Sequence, residues 1–229
     1  MNASLDLLLA TPHYIVERTK REQAARWCPR LQGHVIDIGC GFSPYRRFLT
    51  NATAYVGVEL HERYSPDVVA SSVKLPFRDH SVDGVVLTEV LEHLPEPADG
   101  LAEVRRVLRP GGRLYLTVPM TWGLHYAPHD YYRFTRWGIS HLVVKEGFDV
   151  EEIEPFGGLF TIISARLAEL LSTLLLDRPL RALGVERGRL RICAVCMAPF
   201  NLPSYYLSRG LDRLWSEDVL GWVMVARRL

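Results

Sequence analysis

The stretch Val35-Ile36-Asp37-Ile38-Gly39-Cys40-Gly41-Phe42-Ser43 decides how the rest of the chain is read. An apolar run broken by a single acid predicts a strand buried on both faces. The Gly-x-Gly after it predicts a tight turn free of side chains, where backbone N–H groups can approach a ligand closely. Nicotinamide and flavin enzymes use a similar turn but want a third glycine, and this chain has Ser43 in that place. The decision therefore rests on the downstream motifs and their distances from this turn.

About twenty residues on, the spacing expected of a ribose-binding acid, Tyr55-Val-Gly-Val-Glu-Leu60 predicts a second buried strand ending in a carboxylate. A carboxylate there can accept both hydroxyls of an adenosine ribose. Leu75-Pro-Phe77 precedes Ser81-Val-Asp-Gly-Val-Val-Leu-Thr-Glu-Val-Leu-Glu-His-Leu94, and Leu108-Arg-Pro-Gly-Gly-Arg-Leu-Tyr-Leu-Thr-Val-Pro119 closes the series. From about Val35 to Gly158 these motifs, in this order, resemble a class I S-adenosylmethionine-dependent methyltransferase, of the broad group that includes ubiquinone-biosynthesis methyltransferases.

The elements fit that resemblance. Periodicity predicts a leading helix over 12–27, strands near 34–38, 54–59, 68–70, 82–87 and 113–118, and an amphipathic helix over 97–108 stopped by Pro110-Gly-Gly112. A helix over 135–146 and strands over 148–154 and 221–228 complete the pattern. Alternation of this kind makes an α/β, Rossmann-like sheet covered by helices on both faces. The resemblance implies seven strands, mostly parallel with the last antiparallel, and a leading helix over the cofactor cleft.

The chain is expected to be a single methyltransferase domain over 1–229. The stretch between the last two strands far exceeds a usual connection, so 158–218 is expected to be an inserted helical cap. Its first part aligns Leu159, Ile163, Leu167, Leu170, Leu171 and Leu174 on one stripe, interrupted elsewhere by Arg166 and Glu169. That predicts an amphipathic helix, not a membrane span. Its apolar face can pack on the sheet domain, pair with a second subunit or rest on a membrane surface. Packing or a homodimer is the expectation, because the helix lacks the Lys/Arg-rich polar face of a membrane binder.

A net charge of +1, with histidines neutral, argues against a nucleic-acid partner. The Leu5–Leu9 stretch is too short and wrongly flanked for a signal peptide, so a cytoplasmic protein is expected. Of the cysteines, Cys193 and Cys196 alone have metal or redox spacing. Their apolar neighbours predict packed residues instead.

The resemblance assigns the cofactor, S-adenosyl-L-methionine, with S-adenosyl-L-homocysteine as product. Asp37 would orient the methionine end through its ammonium or an ordered water. Gly39, Cys40 and Gly41 would give close backbone approach, Glu59 would grip the ribose diol and Leu60 would flank the adenine. Ser72 and Thr88 complete the set, Ser71-Ser72 standing where relatives often carry an acid.

For the acceptor, His125-Tyr-Ala-Pro-His-Asp-Tyr-Tyr-Arg-Phe-Thr135 resembles a His-x-x-Pro-x-Asp-Tyr-Tyr-Arg-x-Thr element of methyltransferases in bacterial glycan and secondary-metabolite pathways. This implies O-methylation of a small polar, glycan-type or secondary-metabolite acceptor. His125 or His129 would act as base, with Asp130 and Arg133 fixing the base or the acceptor. Equally, Asp130 and Arg133 can form an internal ion pair and Thr135 a helix cap.

Glu89, Glu92 and His93 would share one face if that stretch were helical, and with a later His could hold a divalent metal, as in small-RNA 2′-O-methyltransferases. The same run is common in metal-independent relatives, and no metal is expected. The alternatives are a metal-assisted RNA 2′-O-methyltransferase and a non-catalytic cofactor-binding partner protein.

Overall fold

The computed structural model describes residues 11–182, 184, 192–215 and 217–229, with the backbone alone for Asp177, Leu180, Arg181 and residues 192–196. The expectation for the Cys193 and Cys196 side chains lies outside the described residues. The chain divides into two compact units, Arg21–Phe156 with Gly221–Leu229, and Met1–Lys20 with Gly157–Leu220.

The larger unit is built on the strands β1 (Gly33–Ile38), β2 (Ala52–Glu59), β3 (Val68–Val69), β4 (Val82–Thr88), β5 (Leu108–Pro119), β6 (Phe148–Gly158) and β7 (Val219–Arg228), in the order β3-β2-β1-β4-β5-β7-β6. β1 pairs in parallel with β2 and β4, β4 in parallel with β5, and β7 antiparallel with β5. This is the seven-stranded, mostly parallel Rossmann-like sheet that the motif order implies. β1 is central, which is why Val35, Ile36 and Ile38 are buried and why the one acid among them, Asp37, is buried too.

Helix α1 spans Tyr14–Trp27, α2 Pro97–Val107 and α3 Arg136–Lys145. α2 buries Leu101, Val104 and Val107 against the sheet, one face of its 3.6-residue repeat. Each such side chain contributes roughly 1.5–3 kcal/mol of burial. α3 starts at the Thr135 cap, whose hydroxyl accepts from Gly138 N at 3.0 Å.

One boundary differs from the sequence reading. Pro110-Gly-Gly112 does not form a loop after α2: the helix ends at Val107, and β5 begins at Leu108, opposite Val82. The register then shifts between Val82 and Gly84, so the Pro-Gly-Gly turn, with Gly111 at φ +77°, is a bulge inside the start of the strand.

In the smaller unit, α4 (Leu159–Ser172) runs through a π-helical turn (Thr173–Asp177) into α5 (Arg178–Ala182), and α6 covers Ile192–Leu211. Asp212 caps α4, accepting from Gly158 N, Phe160 N, Thr161 N and the Thr161 hydroxyl. Of the three placements open to the apolar stripe of α4, packing within this chain is not the one observed. Thr161, Ala165, Ala168 and Ser172 are the buried residues, while Ile163, Leu167, Leu170 and Leu174 are exposed. Small residues let α4 and α6 approach closely, Ala168 packing with Met197 and Phe200, and this turns the leucines outward.

Candidate active site

Parallel strands end on one edge of the sheet, and β1, β2 and β4 bring most of the expected binding residues there. Asp37 lies opposite Gly57 of β2 and Val86 of β4 and is 0 % exposed. Its Oδ2 accepts from the Tyr55 hydroxyl at 2.9 Å, and its Oδ1 has no hydrogen-bond partner among the described residues. Burial pushes its carboxyl up to about 7, the Tyr55 bond opposing and the charge of Glu59 adding. A buried carboxylate with one bare oxygen is costly, and a cation delivered to it relieves that cost. Tyr55 was not singled out from the sequence, where it is one more aromatic residue in a strand.

The Gly39-Cys40-Gly41 turn works differently from the expectation. Gly39 N and Cys40 N donate to Val58 O at 2.9 and 3.1 Å, and Gly41 N donates to Glu59 Oε2 at 3.2 Å. These donors are engaged within the protein, so the turn offers room instead. A Cβ on Gly39, at φ +70°, would collide with the Val90 side chain. One on Gly41, at φ +50°, would meet nothing within 4 Å, which marks open space beside the turn. Cys40 is buried, and burial together with Asp37 pushes its thiol up to about 11, so it is an inert packed thiol.

Glu59 ends β2. Its two oxygens accept from Gly41 N and from Leu60 N, one bond each, which leaves lone pairs for a diol. Leu60 is exposed beside it. Ser72 lies in the turn closed by the Ser71–Lys74 bridge after β3, and Thr88 is buried at the end of β4.

The loop after β5 is a clamp built on Arg133. Its Nη1 and Nη2 donate to the two oxygens of Asp130 at 2.7 and 2.9 Å, and the remaining donors reach the carbonyls of Trp122, Gly123 and Tyr132. This uses all five donors of a guanidinium. The Asp130 carboxyl, which also accepts from His125 N, is held well below the usual carboxylate range by Arg133. Both residues therefore face each other and the loop backbone.

His125 turns its Nδ1 to Gly123 O at 3.1 Å. The His129 ring is exposed, against the Tyr131 hydroxyl at 3.1 Å, while its backbone carbonyl lies 2.7 Å from His93 Nδ1. A carbonyl can only accept, so Nδ1 of His93 carries the proton and its Nε2 keeps a lone pair, while Nδ1 of His125 is within reach of both Gly123 O and, at 3.4 Å, Arg133 Nη2. The two rings sit 4.8 Å apart, edge to face. Burial lowers the pKa of His93, favouring the neutral ring.

The helical reading of Glu89, Glu92 and His93 is corrected. Glu89 has φ +54° at the end of β4, and Leu91–His93 is a single 3₁₀ turn, so the three do not share a helix face. Glu89 is turned to the Thr117 hydroxyl at 3.0 Å. Glu92, His93 and His125 instead bring three ligand atoms within 4.8 Å of one another, a set that could take a divalent cation. An aromatic rim that the sequence did not signal lies nearby. The Tyr64 and Tyr126 hydroxyls are 2.7 Å apart, Phe42 packs edge-on to Tyr64, and Tyr126 lies 5.2 Å from His93.

Comparison with known proteins agrees with this fold. Residues 36–116 match a family model described as a methyltransferase domain. An uncharacterized 37.1 kDa protein in transposon TN4556 of Streptomyces fradiae is 29% identical over 78% of this chain and 56% of its own length. The 27-O-demethylrifamycin SV methyltransferase of Amycolatopsis mediterranei is 33% identical over 46% of this chain and 50% of its own. The chain spans about half the length of the curated relatives it matches. Among solved structures, an S-adenosylmethionine-dependent methyltransferase from Mesorhizobium loti superposes with a TM-score of 0.57 at 17% identity, over 93% of this chain and 100% of the other. Residues 36–116 thus match a methyltransferase domain, and the fold is one shared with S-adenosylmethionine-dependent methyltransferases.

Proposed function

We propose that this chain uses its S-adenosylmethionine-dependent methyltransferase domain to methylate a hydroxyl oxygen of a small polar, glycan-type or secondary-metabolite acceptor. The observation that carries the reading is Asp37: a fully buried carboxylate with one bare oxygen, beside the open Gly41 turn and Glu59. Those residues fit a ligand that has an ammonium and a ribose diol. Bound S-adenosylmethionine supplies an electrophilic methyl group, so that an S–C bond is exchanged for an O–C bond as S-adenosylhomocysteine and a proton are released.

Each residue then has a task. Asp37 takes the ammonium, Glu59 accepts from the diol, and Leu60, Ser72 and Thr88 border the adenosine. Of the paired rings of His93 and His125, one takes the acceptor's hydroxyl proton on a nitrogen that carries a lone pair. Asp130 and Arg133 position His125 through its backbone N–H and the Gly123 carbonyl. The His129 carbonyl positions His93. In-line transfer needs alignment above all, so a loop clamped this tightly suits the reaction. The O-methylating relative from Amycolatopsis mediterranei supports the choice of oxygen.

A second reading, metal-assisted transfer, rests on the Glu92, His93 and His125 grouping. Incubation with methyl-labelled S-adenosylmethionine and a panel of hydroxyl acceptors, with and without chelator, tests both readings. The proposal expects label in an acceptor and an equal amount of S-adenosylhomocysteine, unaffected by chelation.

A further inference from the structure

Helix α4 turns most of its large apolar side chains outward, the wrong way for a helix that sits in water. In a soluble amphipathic helix the leucines pack inward. Here α4 packs through alanine, threonine and serine and exposes Ile163, Leu167 and Leu170, and the π-helical turn after it continues the three-to-four-residue spacing with exposed Leu174, followed by Leu175. By length and composition Leu159–Leu176 is apolar enough to cross a membrane, with a mean hydropathy of 1.7 and 28% of the window buried.

Two observations decide how such a helix meets a membrane. Arg166 and Glu169 pair with each other at 2.8 Å midway along α4, and the small-residue face is covered by α6, so the helix has one apolar side and not an apolar circumference. That is the pattern of a helix lying in the interface, not crossing it. Charge then selects the lipid. The sequence directly after the apolar window, Asp177-Arg-Pro-Leu-Arg-Ala-Leu-Gly-Val-Glu-Arg-Gly-Arg-Leu-Arg191, holds five arginines against two acids, and Arg178, one turn beyond Leu174, is exposed. In sequence the basic charge missing from the polar face of α4 follows it, and of these arginines Arg178 is the one assigned to anionic headgroups.

From this we infer that the exposed face of α4 docks on the surface of an anionic phospholipid bilayer, Ile163, Leu167, Leu170 and Leu174 entering the acyl boundary and Arg178 meeting the headgroups. Exposed Tyr206 and Trp215 in the same unit are residue types that favour that boundary. The inference does not depend on which acceptor is methylated.

Vesicle flotation of the full chain tests it. Vesicles of phosphatidylcholine with about 30 mol % phosphatidylglycerol should bind about tenfold or more tightly than phosphatidylcholine alone, and high salt should weaken the binding. The Leu167→Gln/Leu170→Gln variant should lose about tenfold or more of that binding. Its affinity for S-adenosylmethionine, read in parallel by calorimetry, should stay at the wild-type value, because the cofactor residues lie in the other unit. Should that variant fail to fold, Arg178→Glu reads the charge arm alone and should lower binding to anionic vesicles severalfold. No binding to anionic vesicles, equal binding to both compositions, or full binding by the variants would overturn the inference. So would a solution dimer that the leucine variant dissociates, since a second copy would then be what covers the face.

Discussion

Replacing Asp37 with Asn separates the stability of the protein from its function. The folded carboxyl titrates at about 7, against about 3.9 for an unfolded aspartate. Between those values the folded protein holds the proton more tightly than the unfolded chain does, so stability falls as pH rises from about 4 to about 7 and is flat above. Three units correspond to about 4 kcal/mol, carried in full at pH 8. Asn carries no charge and can still accept from the Tyr55 hydroxyl, but its amide N–H groups at the Oδ1 position would lack partners, costing about 1–3 kcal/mol. The net expectation at pH 8 is a variant about 1–3 kcal/mol more stable, a rise of about 2–12 °C in unfolding temperature for a chain of this size. At pH 5, where Asp37 is already protonated, the gain should vanish or reverse. Binding of S-adenosylmethionine should meanwhile weaken about tenfold to a hundredfold, as expected when a bond to a charged group is lost. Thermal unfolding at the two pH values and calorimetric titration read both effects. An Asn variant that is less stable at pH 8 and binds the cofactor normally would refute the reasoning.

Other residues make narrower claims. Glu59→Gln keeps the shape but loses the charge facing the diol, so cofactor affinity should drop about fivefold to fiftyfold by titration while the unfolding temperature changes little. Whichever of His125→Asn and His93→Asn removes the base should lower turnover about 10²- to 10⁴-fold and the other less, with cofactor affinity nearly intact in both. His129→Asn, which retains the backbone carbonyl that holds His93, should cost far less in the same assay. Chelation should leave turnover unchanged; loss in chelator with recovery on adding Mg²⁺ or Mn²⁺ would move Glu92, His93 and His125 from base to metal site.

The parts of the site that were legible in the sequence are those made by local geometry. A strand, a Gly-x-Gly turn and a second strand with a terminal acid sit close along the chain, so their spacing alone brings Asp37 and Glu59 to one edge of the sheet. The environment of Asp37 was not legible, because Tyr55 reaches it only through the β1–β2 register. Nor was the His93–His125 pair. It forms because the loop after β5 returns to the 3₁₀ turn, with Tyr131 N and Tyr132 N donating to Glu92 O, a contact between distant segments that no periodicity announces. The Glu89, Glu92 and His93 reading failed for a backbone reason: helical spacing was applied to residues that turn at a positive φ. The α4 stripe is a stripe as its spacing predicts, but spacing does not say what covers it, and the small-residue face took the packing against α6.

The most direct test of the account is proton release when S-adenosylmethionine binds, measured by titration calorimetry in buffers of different ionisation enthalpy. At pH 7 the free Asp37 carboxyl is about half protonated, and an ammonium placed against it lowers its pKa, so binding should release about half a proton. The release that depends on Asp37 should shrink as pH rises above 7, where the free carboxyl is already ionised, and should be absent in Asp37→Asn. A heat of binding that does not depend on the buffer at pH 7, or the same release from the Asn variant, would contradict the claim that Asp37 receives the cofactor's ammonium.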